Sequence, residues 1–147
     1  MTEPVWSYRN SFLKDFDLEN KSVIDFGCGD KSICNYITFK NYIGIDLMPP
    51  ADYIIDFNKD FTIPVKADTG LILGVLEYLD SPYNFISAIK DSCNNFIFMI
   101  LDVNKTKTHH GWKQVYNSLT LSTLLQSHFN NIETHKINKY VLAVCTK

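Results

Sequence analysis

Ser22-Val23-Ile24-Asp25-Phe26-Gly27-Cys28-Gly29-Asp30 reads as a short apolar strand running into a glycine turn. A second apolar run, Tyr42-Ile43-Gly44-Ile45-Asp46, closes on a carboxylate. A strand, a glycine turn and a second strand ending in an acid form the first half of a nucleotide-binding α/β unit. Asp25 and Asp30 put negative charge on both sides of the turn. That repels a pyrophosphate and suits a cationic ligand. The dinucleotide pattern G-x-G-x-x-G also needs glycine at position 32, where this chain has Ser32.

Working outward, Val23 to Phe26 and Tyr42 to Asp46 are the first two strands. Between them Ile33, Tyr36 and Ile37 stand at helical spacing, which predicts a short helix from Ser32. Met48-Pro49-Pro50 is a loop, because paired prolines cannot sit inside an element. Tyr53 to Ile55 is a third, very short strand that runs into Asp56-Phe57. Asn58 to Asp68 reads as loop and Leu71 to Leu73 as a fourth strand. Ser81-Pro82 opens a helix, with serine as the cap and proline in the first turn, and Phe85, Ile86 and Ile89 form its apolar face. Phe96 to Leu101 is a continuous apolar run, as expected of a strand buried on both faces. Thr120 to His128 is a helix with Leu121, Leu124 and Leu125 inward. Ile132 to Ile137 and Tyr140 to Val144 flank Asn138-Lys139 as a closing hairpin. Upstream, Ser11 to Phe16 predicts a short helix within an N-terminal helical extension over residues 1–21.

Strands alternating with helices imply an α/β fold with a doubly wound, mostly parallel sheet, a three-layer sandwich closed by the antiparallel C-terminal hairpin. With 147 residues and 46% hydrophobic content the chain has the makings of one domain, 1–147, with little room for a separate substrate domain. The formal net charge is −2 and Arg9 is the only arginine, so the basic footprint of a nucleic-acid enzyme is missing. Cys28, Cys34, Cys93 and Cys145 have no zinc spacing and read as reduced thiols, with no metal site expected. No apolar run reaches the ~20 residues of a membrane span, and the first residues lack a signal pattern, so a cytoplasmic protein is expected.

At this point the chain resembles the class I, Rossmann-like S-adenosylmethionine-dependent methyltransferases. Val23 to Asp30 resembles the family's glycine motif, and Asp46 falls on its ribose-binding acid. Asp56-Phe57 resembles its adenine-side pair, and Leu73-Gly74-Val75-Leu76-Glu77-Tyr78-Leu79-Asp80-Ser81-Pro82 its segment after the fourth strand. The resemblance covers roughly residues 20 to 147. Gly74 to Leu79 and Gly111-Trp112 also look like small bacterial methyltransferase-like proteins of surface-polysaccharide pathways.

The resemblance implies S-adenosylmethionine as cofactor, a molecule with a ribose, a sulfonium, an ammonium and no phosphate. Gly27, Cys28 and Gly29 would let the backbone approach its methionine part, with Asp25 near the ammonium. Asp46 would take the ribose hydroxyls. Asp56 would take the adenine amino group, with Phe57 or Leu47 on the ring, and Gly74 and Val75 would line the methionine tail. Two departures stand out. Lys31 occupies the place of a third glycine, so either its side chain points away from the cofactor or the loop bends differently, and Tyr78 replaces a common histidine. On the substrate side, His109 and His110 follow the fifth strand, and either is a candidate general base or part of a polar surface loop. Tyr78 is a third candidate catalytic residue, and Trp112 and Tyr116 either wall a pocket or pack on the core. Glu77 reads as a loop anchor and His128 as structural. The expected activity is methyl transfer to a small-molecule or glycan-type acceptor, with no nucleic acid or membrane partner and with a homo-oligomer or partner subunit allowed. The alternative is a non-catalytic subunit that keeps the fold.

Overall fold

The computed structural model of the chain describes residues 12–147. Its strands are β1 (Ser22–Phe26), β2 (Asn41–Asp46), β3 (Tyr53–Ile54), β4 (Ala67–Leu73), β5 (Cys93–Leu101), β6 (Asn131–Ile137) and β7 (Tyr140–Thr146). They form one sheet in the order β3-β2-β1-β4-β5-β7-β6. The first five are mutually parallel, and β7 runs antiparallel to both β5 and β6. The expected topology, including the reversed closing hairpin, is the observed one.

Side-chain alternation splits each central strand between two cores. Ile24, Phe26, Ile72, Phe96, Phe98 and Ile100 enter one. Val23, Leu71, Leu73, Ile97 and Met99 enter the other. The first core lies under the two α-helices, α1 (Pro82–Ile89) and α2 (Ser118–Gln126), through Phe85, Ile86, Ile89, Leu121 and Leu125. Ser81 caps α1 by accepting from the Asn84 amide, with Pro82 in the first turn, as its sequence requires. Asn117 and Thr120 cap α2 reciprocally, which places its start two residues before the expected Thr120. His128 accepts the structural role expected of it, bonded to Ser87 at 3.0 Å and packed on Tyr83.

The other face departs from expectation. Three 3-10 turns, Leu13–Phe16, Leu18–Asn20 and Ser32–Asn35, supply its cover through Leu13, Leu18 and Ile33. The helix expected from Ser32 is therefore a single tight turn. Lys31, at φ 63°, and Gly29, at φ 55°, precede it in the left-handed region, so its start has no regular helical lead-in. Asp17, at φ 52°, divides the first two turns. The part of the N-terminal helical extension before residue 12 lies outside the described residues.

β4 begins at Ala67, four residues before the expected Leu71, although Asp68 and Gly70 are poor strand formers. Packing explains it. A Cβ on Gly70 would come within 2.7 Å of the Phe96 ring and 3.0 Å of Phe26, so the glycine makes room for two core aromatics. Asp68 earns its place by accepting from both the Ser22 amide and hydroxyl, at 2.9 and 3.0 Å. Among the described residues, no helix is long and apolar enough to cross a membrane.

Candidate functional site

The backbone after β1 folds back onto β2. The Gly27 and Cys28 amides both donate to the Ile45 carbonyl, at 2.7 and 3.1 Å. Gly27 takes φ +88°, and a Cβ there would run into the Val75 side chain. Only glycine lets the turn after β1 and the segment after β4 meet this closely. Gly29 has open space around it, so its requirement is the left-handed φ alone.

Asp46, at the end of β2, fixes the tip of that turn. One carboxylate oxygen accepts from the Gly29 amide at 2.7 Å and the other from the Leu47 amide at 2.6 Å. Each oxygen keeps a further lone pair for a ligand hydroxyl. Asp25 is 4% exposed and accepts from the Tyr42 hydroxyl at 2.6 Å. Burial first, and then the Asp25 charge, push the Tyr42 hydroxyl pKa well above its ordinary value. Burial, followed by the Asp25 and Asp46 charges, raises the Cys28 thiol to about 12. Cys28 is thus a neutral filler, tucked where a Cβ on Gly44 would strike its sulfur.

Lys31 does point away from this turn. Its ammonium pairs with Asp52 at 2.9 Å, and it is absent from the residues that line the cleft. Lys31 adopts the left-handed backbone that a glycine would supply there.

Asp56 accepts from the Asn58 amide at 2.9 Å and so holds the turn after β3. Phe57 belongs to two environments. It packs against Phe85, Phe61 and Phe26 with ring centroids 4.9, 5.4 and 6.2 Å apart, and it also faces the cleft. Leu47 is 60% exposed at the rim.

On the far side, Glu77 is 1% exposed and acts as the anchor expected of it. Its carboxylate accepts from the Leu101 amide at 3.1 Å, and its carbonyl from the Lys113 and Gln114 amides at 2.7 and 3.0 Å. Tyr78 therefore lies beside the loop after β5, its ring 3.5 Å from where a Gly111 Cβ would be. His109 stacks on Trp112 with centroids 4.8 Å apart and ring planes 8° from parallel. Tyr116 turns into the core at 6% exposure, while Trp112 lines the cleft, which resolves the two aromatics left open by the sequence.

These parts enclose a cleft of about 590 Å³. It is lined by Asp25, Gly27, Cys28, Gly29, Asp46 and Leu47 at the β1–β2 side. Asp56, Phe57, Gly74, Val75, Tyr78 and His109 continue the lining. Every expected cofactor residue is thus brought to one site. His110 is not among the lining residues and is exposed. Sequence reasoning missed Ser32, Ile33, Asn58, Lys139 and Tyr140, which also line the cleft. Lys139 had a readable signal: a hairpin return beside β5 must bring its turn to the end of the sheet where the ligand crevice lies.

No family model matches the sequence. No curated protein matches it either. Solved structures do match in fold. The N-methyltransferase NodS from Bradyrhizobium japonicum, in complex with S-adenosyl-L-homocysteine, aligns with a TM-score of 0.72 at 16% identity over 99% of this chain and 88% of its own. The 1,6-didemethyltoxoflavin-N1-methyltransferase of Burkholderia thailandensis, with bound 1,6-didemethyltoxoflavin and S-adenosylhomocysteine, aligns with a TM-score of 0.71 at 14% identity over 98% of this chain and 81% of its own. The small RNA methyltransferase HEN1 aligns at 0.77 and 14% identity over all of this chain but 26% of its own. At such identities the likeness establishes the fold, and the fold is that of the class I S-adenosylmethionine-dependent methyltransferases.

Proposed function

We propose that this chain is a single-domain, S-adenosylmethionine-dependent methyltransferase acting on a small-molecule acceptor in the cytoplasm. The observation that carries the reading is Asp46. It stands at the end of β2, and it has already engaged the Gly29 amide that an anion-binding turn would offer to a phosphate. The site therefore suits a ribose and a cation better than a pyrophosphate. Asp25, Asp56 and Glu77 add three more carboxylates to the cleft. This composition argues against a nicotinamide dinucleotide and, with a net charge of −2, against a nucleic acid acceptor.

In this reading Asp46 holds the ribose hydroxyls, and Asp56, with Phe57 and Leu47, frames the base. Asp25 faces the ammonium, and the turn of Gly27, Cys28 and Gly29, with Gly74 and Val75, accommodates the methionine chain. The cofactor, when bound, supplies an activated methyl group on a sulfonium. The chain's own task is then mostly positioning, because in-line alignment at close range removes much of the barrier. Tyr78 and His109 border the space an acceptor would enter, and His109 is the better-placed candidate base of the two adjacent histidines. Lys31, the departure from the family's glycine motif, is tied to Asp52 and is not among the residues that line the cleft.

The test is thermal unfolding with S-adenosylmethionine, S-adenosylhomocysteine and NADH added separately. A ligand at ~100 times its dissociation constant adds about 2.7 kcal/mol. That raises the midpoint by several degrees at roughly 2–4 °C per kcal/mol. A rise with both sulfur ligands and none with NADH is expected. A rise with NADH alone would overturn the reading.

A further inference from the structure

The cleft has an asymmetric charge pattern. Among the described residues three of its four carboxylates, Asp25, Asp46 and Asp56, lie in β1, at the end of β2 and just after β3, while the fourth, Glu77, sits in the 3-10 turn after β4 with its carboxylate engaged by the Leu101 amide of β5. Among the described residues the cleft's one lysine or arginine is Lys139, in the turn between β6 and β7. In the sheet, β2 and β7 are four strand spacings apart, on the order of 19 Å. Lys139 thus stands at the opposite end of the cleft from the ribose acid.

Backbone geometry holds Lys139 there. Asn138 makes the turn at φ 56°, and the Lys139 carbonyl accepts from the Asp102 amide at 2.8 Å, at the end of β5. Lys105 steadies the same turn by donating to the Asn138 carbonyl at 3.4 Å. The Lys139 ammonium itself takes part in none of the salt bridges among the described residues, which use Lys31, Lys113, His135 and Lys147. A half-buried ammonium without an anionic partner among the described residues, at the ligand end of a cleft, is a vacant electrostatic partner. Flat surfaces stand in the same region. His109 and Trp112 form a stacked pair, and the Tyr78 ring lies against Gly111. The volume of about 590 Å³ is mid-range for a single-ligand pocket, so an acceptor that shares it with a donor is small.

Resting on the methyltransferase reading, we infer that the acceptor is a small ring-bearing acid. Lys139 pairs with its carboxylate or phosphate, and Tyr78, His109 and Trp112 flank its ring. Lys139 is then a specificity residue, remote from the donor.

The experiment is calorimetric titration of the S-adenosylhomocysteine-loaded protein with benzoate, phenyl phosphate and benzamide. The affinity for S-adenosylhomocysteine is measured first, so failure of the donor reading shows separately. The same series is run on Lys139→Met, which keeps the aliphatic stem, and its melting midpoint confirms folding. The expected result is that one of the two anions binds about tenfold or more tighter than benzamide. Lys139→Met should abolish that preference and leave S-adenosylhomocysteine affinity unchanged. Which anion wins separates a carboxylate acceptor from a phosphate one. Equal binding of all three probes, no binding of either anion, or a preference that survives Lys139→Met would each overturn the inference.

Discussion

The Lys31 ammonium and the Asp52 carboxylate meet at 2.9 Å, and the other Asp52 oxygen accepts the Gly44 amide at 2.8 Å. Asp52 thereby ties a cation from the glycine turn to the middle of β2. The pair is partly exposed, so Asp52→Asn should cost at most about 1 kcal/mol. The Gly44 bond first, and then Lys31, hold the Asp52 pKa below its ordinary 3.8. A lowered carboxylate pKa gives stability that is fully present above the ordinary value and drains away as pH falls below it. Melting midpoints of wild type and Asp52→Asn should differ at neutral pH and converge in acid. A gap that widens on acidification would contradict the assignment.

Asp46→Ala should weaken S-adenosylmethionine binding by about 2 kcal/mol, roughly thirtyfold, because a charged acceptor of two hydrogen bonds is lost. It should also loosen Gly29, whose amide loses its partner. Calorimetry on the folded variant decides. Unchanged affinity would remove the ribose role.

Gly27→Ala carries two faults, a left-handed φ and a collision with Val75. The first costs on the order of 1–3 kcal/mol. Pairing it with Val75→Ala should relieve the collision and leave the backbone strain. Denaturant midpoints should therefore show partial rescue, with the double variant more stable than Gly27→Ala. Strict additivity of the two losses would argue against the contact.

Thiol chemistry should discriminate between neighbours. Cys28 is 8% exposed, with a pKa pushed up to about 12 by burial and by Asp25 and Asp46, whereas Cys34 is exposed. Burial and then the Asp25 charge also raise the Cys34 thiol, so the contrast rests chiefly on access, Cys28 being buried and Cys34 exposed. Iodoacetamide at pH 8, followed by mass spectrometry, should label Cys34 well before Cys28. Early loss of Cys28 would mean that the glycine turn opens in solution.

Parallel strands and the β1–β2 side of the cleft could be read from the chain because their signals are local. Glycine spacing, terminal acids and apolar runs each act within a few residues of themselves. The extra length of β4 could not, because Gly70 is accommodated by Phe96 and Phe26, which lie elsewhere in sequence. The turn at Ser32–Asn35 misled for a related reason. Ile33 and Ile37 have helical spacing and both are buried, yet the left-handed Gly29 and Lys31 leave room for one tight turn only. Lys139 escaped notice because its signal is topological, the hairpin return beside β5, and not local to Asn138-Lys139. Its position follows from the strand order.

The bonds that frame the proposed acceptor side of the cleft run almost wholly through main chain. The Lys113 and Gln114 amides meet the Glu77 carbonyl, the Val103 amide meets the Tyr116 carbonyl, and the Asp102 amide meets the Lys139 carbonyl. Side chains at positions 78, 109, 112 and 139 can therefore be exchanged while the scaffold that presents them keeps its bonds. Such a wall is open to retuning by single substitutions, so on the proposed reading acceptor preference can change without first lowering stability.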